Sequence, residues 1–311
     1  MSPTPIAAAL AGLTVLERGW LSSNNVVLHG TPGEGAVLVD SGHCSHQAQT
    51  VALVRHALAG EQLARLVNTH LHSDHCGGNA ALQAAFGMPI DIPPGQWQAV
   101  RDWDDEALSY RPTGQRCERF VPDARLSPGD TLYRGGRRWE VLAAPGHDPD
   151  SVMLFDADHG VLISADALWE HGFGLVFPEL DGVDAYDDVA AVLDLIERLP
   201  VQWVLPGHGS PFQDVPAALA RARSRLAGFR ADPARHDRHA AKVLLKFHLL
   251  EERSQALADL RVWFAATPLM RGLWQRMGRP AGTIEDWCES LVVELTGQGV
   301  LAMRDGVVHD L

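Results

Sequence analysis

The segment NTHLHSDHCGGN at residues 68–79 constrains this chain more than any other feature. Three histidines and an aspartate fall within six positions there, and such a cluster is costly to hold together unless a cation lies between its members. His70 and His72 alternate, so in an extended segment both imidazoles point to one side and can bind one metal ion. Asp74 and His75 follow where the chain turns into a helix, and they can bind a second ion. The motif therefore predicts a strand end placed against a helix N-terminus.

Two glycines and a cysteine follow this motif directly. Gly77 and Gly78 let the backbone pass close beneath the site without side-chain collision, because glycine carries no Cβ atom. Cys76 stands beside the ligands, and we interpret it as a small packing residue rather than a ligand. The four cysteines are scattered without a CxxC pair, which is typical of reduced thiols in a cytoplasmic protein.

Three further candidate ligands each stand in a loop directly after an apolar run. His147 follows LAAPG, Asp166 follows VLISA, and His208 follows WVLPG. Asp40 ends the run VLVD in the same way. Strand ends are rigid and suit the presentation of a precise site. Unrelated histidines in turns would leave this repeated placement unexplained, so we expect one metal centre.

The order HxHxDH, PGH, a strand-ending Asp and PGHG resembles the metallo-β-lactamase superfamily over roughly residues 12–212. The resemblance implies an α+β fold, an αββα sandwich with the metal site at one edge of its two sheets. It implies a first metal ion bound by His70, His72 and His147, and a second bound by Asp74, His75 and His208, with Asp166 bridging both. It also implies that Asp40 orients a ligand histidine by a hydrogen bond and does not itself bind a metal ion. We assign catalytic roles to Asp74 and Asp166.

These ligands limit the metal and the reaction. Imidazole and carboxylate without thiolate suit zinc, iron or manganese, and zinc is our expectation. Two such ions about 3.5–4 Å apart hold a hydroxide available at neutral pH, so hydrolysis is the natural reaction. The resemblance places a bridging Asp166 in the glyoxalase II, lactonase and nuclease branches rather than among the antibiotic-cleaving lactamases. We therefore predict a hydrolase of a small-molecule ester or thioester.

Details of the sequence bear on the substrate. Only 41 residues separate Asp166 from His208, which leaves no room for the inserted domain of a β-CASP nuclease. The motif PGHDPDS departs from the PGHTxGS that is common in glyoxalase II. Trp169, Phe173 and Phe177 either line an apolar approach to the metals, which favours an acyl substrate, or cover a core edge. Tyr110, Arg111, Arg116 and Arg119 lie in a predicted loop that is either solvated or able to bind a substrate carboxylate.

The chain divides in composition near residue 225. Residues 1–225 carry 15 Arg against 28 acidic residues, whereas residues 226–311 carry 11 basic and 11 acidic residues. Helical periodicity dominates the second part until a short RDG hairpin. We predict a catalytic domain at residues 1–222 and a helical domain at 223–311 whose terminal hairpin is typical of a winged helix.

Several alternatives stay open. The basic residues of the tail suit an endoribonuclease of the β-lactamase-like winged-helix type, although the net charge of −13 argues against nucleic acid and anionic membranes. A lactonase and a mononuclear-iron persulfide dioxygenase are further alternatives. The tail also suits a lid or a homodimer contact. The N-terminal apolar run lacks a basic segment ahead of it, and no long apolar run follows, so we expect neither a signal peptide nor a membrane span.

Overall fold

The computed structural model describes residues 8–311. The first seven residues of the apolar N-terminal run, which bear on the signal-peptide prediction, lie outside the described residues. The chain forms two compact units, one comprising residues up to 108 together with 117–227, and the other comprising 109–116 together with 228–311. The domain boundary between residues 222 and 223 stays a prediction, and the sequence did not indicate that residues 109–116 would group with the second unit.

Two sheets form the centre of the first unit. The first sheet has the spatial order β1 (Leu13–Leu16), β2 (Asn25–Leu28), β3 (Ala36–Val39), β4 (Leu63–Val67), β5 (Ile90–Ile92) and β6 (Ala124–Arg125). Its first three strands are antiparallel and the rest are parallel. The second sheet has the order β11 (Trp203–Pro206), β10 (Val161–Ala165), β9 (Val152–Asp156), β8 (Arg137–Ala143) and β7 (Thr131–Arg134), with only β10 and β11 parallel.

The two sheets pack face to face through apolar side chains. The core draws Val26, Val39 and Val67 from the first sheet, and Trp139, Val141, Leu154 and Ile163 from the second. Burial of these apolar side chains is the main stabilising contribution to the sandwich. The predicted α+β sandwich is thereby confirmed.

Helices connect and flank these strands. They are α1 (Gln47–Leu58), α2 (Ser73–Cys76), α3 (Asn79–Phe86), α4 (Trp97–Asp102), α6 (Phe177–Leu180), α7 (Tyr186–Arg198) and α8 (Val215–Ala231), with α5 (Tyr110–Thr113) in the second unit. Val189, Val192 and Ile196 repeat at helical spacing and form the buried face of α7. Of the helices within residues 8–311, none has both the length and the apolar character required to cross a bilayer.

The second unit continues with α9 (Pro233–Glu252), β12 (Ser254–Ala256), α10 (Leu257–Ala266), α11 (Pro268–Arg276), α12 (Ile284–Gly297), β13 (Leu301–Arg304) and β14 (Val307–Asp310). Its antiparallel sheet has the order β12-β14-β13, and Asp305 and Gly306 form the tight turn, both with positive φ. The predicted terminal hairpin is confirmed. Helices leading into a three-stranded sheet with this hairpin have the arrangement of a winged helix.

Candidate metal centre

The first group of predicted ligands comes together beyond the end of β4. His70 and His72 lie between β4 and α2, and His147 follows β8. Nδ1 of His72 lies 2.8 Å from Nε2 of His147, which lies 3.2 Å from Nε2 of His70. All three side chains are buried, and one nitrogen of each lies within 4.8 Å of the others. Three imidazole nitrogens that converge in this way can surround one metal ion.

The second group lies next to the first. Asp74 and His75 belong to α2, whereas Asp166 follows β10 and His208 follows β11. Oδ2 of Asp74 lies 2.9 Å from Nε2 of His208, and Oδ1 of Asp166 lies 3.4 Å from Nε2 of His75. One ligand atom from each residue lies within 4.8 Å of the other three. All seven residues singled out in the sequence are thus positioned for a metal site.

The carboxylate of Asp166 faces both groups. Its Oδ1 lies 3.4 Å from Nε2 of His75 in the second group, and its Oδ2 lies 3.4 Å from Nε2 of His147 in the first. The indole N–H of Trp169 also donates to Oδ1 over 3.1 Å, which fixes the orientation of the carboxylate. One oxygen towards each group is the arrangement that a bridging ligand requires.

Asp40 lies behind the second group. Its Oδ2 accepts a hydrogen bond of 2.8 Å from Nδ1 of His75 and another of 2.8 Å from the hydroxyl of Thr69, and its Oδ1 accepts one of 2.9 Å from the Thr69 backbone N–H. A carboxylate that holds one imidazole nitrogen leaves the other directed at the site. The contact between Asp40 and a predicted ligand histidine, which the resemblance implies, is present in the structure.

The charges of the site differ between the two groups. Burial, together with the neighbouring imidazoles, lowers the pKa of His70 well below its ordinary value and lowers that of His72 to about 3. Burial likewise lowers the pKa of His147. These three rings are therefore neutral near pH 7, and a neutral imidazole has the lone pair that a metal ion needs.

The second group is rich in charge. Burial opposes ionisation of Asp74 and Asp166, but the nearby imidazoles outweigh it, so the pKa of Asp74 falls to about 2 and that of Asp166 falls well below its ordinary value. Burial also opposes protonation of His75, yet Asp166, Asp40 and Asp74 together raise its pKa well above the ordinary value. The carboxylates of Asp166, which is buried, and of Asp74, which is partly buried, thus require a positive partner, either the His75 proton or a cation that replaces it.

One buried atom shows that a metal ion fits here. Nε2 of His75 is buried and has no hydrogen-bond partner among the described residues. A buried polar atom without a partner is costly, and this one points towards Asp74 and Asp166, the two carboxylates of the second group. A metal ion bound there would satisfy it.

The glycines after the motif allow the close packing predicted for them. A Cβ atom on Gly77 would lie 2.5 Å from the backbone nitrogen of Cys44, and one on Gly78 would lie 2.3 Å from the carbonyl oxygen of Ser41. Both distances are shorter than van der Waals contact. The predicted role of these two glycines is confirmed.

Two other glycines touch the ligands themselves, and the sequence analysis did not single them out. A Cβ atom on Gly207 would lie 2.2 Å from Oδ1 of Asp166, and one on Gly174 would lie 2.4 Å from Nδ1 of His147. Their signal in the sequence is position, because Gly207 stands inside PGHG and Gly174 follows Asp166 closely.

Aromatic rings lie against the ligands of both groups. The ring of Trp20 stacks on that of His208, with centroids 5.3 Å apart and planes 7° apart, and Trp20 is 58% exposed. Trp169 meets the same His208 ring edge-on at 5.3 Å. On the first group, the ring of Phe177 lies 4.5 Å from that of His72. Trp20 was not anticipated from the sequence, because the chain gives no local sign that a residue so far from His208 would stack on it.

The remaining residues of the predicted substrate region have other partners. Phe173 is buried, which agrees with the core-edge alternative. Arg116 belongs to the second unit and its Nε donates to Glu251 over 2.7 Å, while Arg119 donates to the carbonyl oxygen of Arg101 over 2.8 Å. These contacts favour the surface-loop interpretation over carboxylate binding for Arg116 and Arg119.

Asp148 is a further carboxylate near the first group of ligands. It stands in the segment PGHDPDS, where glyoxalase II commonly has PGHTxGS. Asp148 is buried directly after His147, and its Oδ2 lies 3.9 Å from Nε2 of His72. Burial raises the pKa of Asp148 to about 7. The unusual PGHDPDS segment was the only sign of it in the sequence.

Comparison with known proteins places these observations in a family. The family model described as the metallo-beta-lactamase superfamily matches residues 18–208. An acyl-coenzyme A thioesterase MBLAC2 from Gallus gallus is 30% identical over 165 residues, which are 50% of this chain and 59% of that protein. A hydroxyacylglutathione hydrolase from Bdellovibrio bacteriovorus is 27% identical over 143 residues, which are 46% of this chain and 47% of that protein. The chain thus spans only about half to three-fifths of the length of these relatives.

A solved structure has the same fold. The crystal structure of the BLEG-1 B3 metallo-beta-lactamase matches with a TM-score of 0.55 and 26% identity, over 67% of this chain and 96% of that one. The family model covers well over half of the chain and includes all seven converging residues. This protein belongs to the metallo-β-lactamase superfamily.

Proposed function

We propose that this protein is a dinuclear metal-dependent hydrolase of a small-molecule thioester or ester. The observation that carries the proposal is the carboxylate of Asp166, which presents one oxygen to His75 and the other to His147. A group shared in this way supports two adjacent ions rather than one. Two bound divalent ions would supply Lewis acidity and would activate water at neutral pH.

The residues that would hold the ions follow from the two groups. His70, His72 and His147 would hold the first ion, Asp74, His75 and His208 the second, and Asp166 both. Zinc is the metal we propose as the default, and the same imidazole and carboxylate ligands also suit iron or manganese. Asp74 and Asp166 have pKa values lowered by nearby imidazoles, so both are ionised and can balance the charge of the ions.

The rings around the ligands support an acyl substrate. Trp20 and Trp169 lie against His208, and Phe177 lies against His72. Such a surface suits the apolar part of an acyl group, whereas a polyanion would need cations at the same place. The two similar proteins named above carry thioesterase and hydroxyacylglutathione hydrolase names, which agrees with a thioester as the bond cleaved.

An assay of purified protein of known metal content tests the proposal. The panel would contain S-lactoylglutathione, acyl-coenzyme A thioesters of increasing chain length, and a lactone. Asp166→Asn should abolish turnover and lower the metal content, while Asp158→Asn, at an exposed position between β9 and β10, should change neither. Absence of turnover in protein with two bound ions per chain would refute the proposal, and one iron per chain would indicate oxygen chemistry instead.

The endoribonuclease alternative is less well supported. The basic residues of the tail suggested this alternative. Arg238 and Lys242, however, pair with Glu294, and Lys246 pairs with Asp310. Helix α12, which leads into the terminal hairpin, carries four acidic residues and no basic one. Contacts to phosphate groups dominate nucleic-acid affinity. The acidic residues of α12 and the paired basic residues of the tail do not favour such contacts. A homodimer and a cytoplasmic location remain predictions.

A further inference from the structure

Two of the four cysteines meet beside the metal-binding motif. Sγ of Cys76 lies 3.8 Å from Sγ of Cys117, and both residues belong to the first unit. Cys76 is 0% exposed, whereas Cys117 is partly exposed. Formation of a disulfide would require the sulfur atoms to approach to about 2.05 Å, a movement of less than 2 Å. The pair is therefore close enough to react and has one member that solvent can reach.

The buried thiol is tied to the ligands. Cys76 is the last residue of α2, the helix that carries Asp74 and His75. Its Sγ donates to the carbonyl oxygen of Leu71 over 3.4 Å, and Leu71 lies between His70 and His72. The thiol thus links the end of α2 to the segment that holds the first two histidines. A disulfide at this sulfur would break that link and place strain on the residues on either side of it.

We propose that Cys76 and Cys117 form an oxidative modification site at which a hydroperoxide produces a disulfide, and that this disulfide weakens metal binding by the adjacent motif. The second part rests on the metal binding of the proposed function. The thiol of Cys117 is oxidised by the hydroperoxide to a sulfenic acid, and the hydroperoxide is reduced to an alcohol, or to water if it is hydrogen peroxide. The sulfur of Cys76 then attacks the Cys117 sulfur, the S–S bond forms, and the sulfenic oxygen leaves as water with the Cys76 proton.

The disulfide changes the motif in two ways. It removes the S–H group that donates to Leu71, and it pulls the end of α2 towards Cys117. Metal sites tolerate little displacement of their ligands, because distances must stay within about 0.2 Å of their ordinary values. We therefore expect the oxidised protein to lose metal to a chelator at least about tenfold faster than the reduced protein does, with recovery after reduction.

Peptide mass spectrometry of the full chain tests the modification. After treatment with hydrogen peroxide, a non-reducing tryptic digest should contain residues 66–101 joined to the tripeptide of residues 117–119. Cys117→Ser should prevent the link and keep metal retention unchanged by peroxide. Cys44→Ser is the matched control, since Cys44 is also partly exposed, and it should behave like the unaltered chain.

Two results would overturn the proposal. One is a digest without the linked peptide at peroxide levels that oxidise Cys117. The other is a linked protein that retains metal as the reduced protein does. Neither readout depends on hydrolysis. A preparation that binds no metal but forms the link would contradict the proposed function and the weakened metal binding, while leaving the modification site in place.

Discussion

Nδ1 of His75 donates to Oδ2 of Asp40 over 2.8 Å, and this contact decides which nitrogen of His75 faces the site. The other nitrogen, Nε2, has no hydrogen-bond partner among the described residues and points towards Asp74 and Asp166. The same Asp40 carboxylate holds Thr69 by two hydrogen bonds, so it fixes both the imidazole and the backbone just before His70. The hydrogen bonds of Asp40 therefore fix the orientation of His75 in the second group.

Asp40→Asn should weaken the second metal site more than the first. An amide accepts a weaker hydrogen bond than a carboxylate, and loss of such outer partners typically costs about 10–100-fold in metal affinity. Titration against a chromophoric chelator should show one ion released early and one retained. Asp158→Asn should release neither, and equal weakening of both sites would contradict the role given to Asp40.

Gly207→Ala should displace Asp166. Its Cβ atom would lie 2.2 Å from Oδ1 of that carboxylate, so either the ligand or the loop after β11 must move. We expect loss of the bridging position and of most hydrolytic activity, with metal content per chain measured beside the rate. The control is Gly19→Ala, because nothing lies within 4 Å of a Cβ atom there and no positive φ is needed. Full activity in Gly207→Ala would show that the loop relaxes freely.

Trp20→Ala should change the affinity for apolar acyl groups without removing metal. The exposed indole stacks on His208, and loss of about 1.4 kcal/mol of contact would raise KM about tenfold for long acyl chains. The effect should shrink as the acyl chain shortens. Tyr133→Ala is the control, since Tyr133 is 64% exposed and lies on β7, at the opposite edge of the sheet from β11. A uniform fall in kcat for all substrates would contradict this binding role.

The second unit should lose stability in mild acid because of His236. Burial, with a smaller contribution from Arg276, lowers the pKa of His236 from 6.5 to about 4. Below pH 6.5 the unfolded chain binds a proton that the folded chain does not, so the free energy of unfolding falls by about 2 kcal/mol between pH 7.5 and pH 5. Urea unfolding followed at both values should show this loss, and His236→Gln should reduce it. An equal loss in the variant would assign the effect to other groups.

The ligands could be predicted because their chemistry is local or repeats in a simple way. His70 and Asp74 belong to one short motif, and His147, Asp166 and His208 each follow an apolar run. Strands deliver the residues after them to the edge of a sheet, so this pattern predicted convergence. The pattern alone indicated that these residues converge, whereas their division into two groups and the sandwich that carries them were implied by the resemblance to the metallo-β-lactamase superfamily.

Other contacts could not be predicted from the sequence. Periodicity indicates that a face is buried, but it does not identify the residues that cover it. The stacking of Trp20 on His208 and the approach of Cys117 to Cys76 depend on how distant segments meet. The grouping of residues 109–116 with the second unit has the same origin, because no local composition marks that short segment.

The ligands come from both sheets, and this has a mechanical consequence. Residues 70–75 extend from β4 of the first sheet, whereas His147, Asp166 and His208 extend from strands of the second. An ion bound as proposed would therefore cross-link the two layers at one rim, where the apolar core between them ends. Removal of the ions would leave that rim to be held by side-chain contacts alone. The layers should then part first at this rim when the protein is heated.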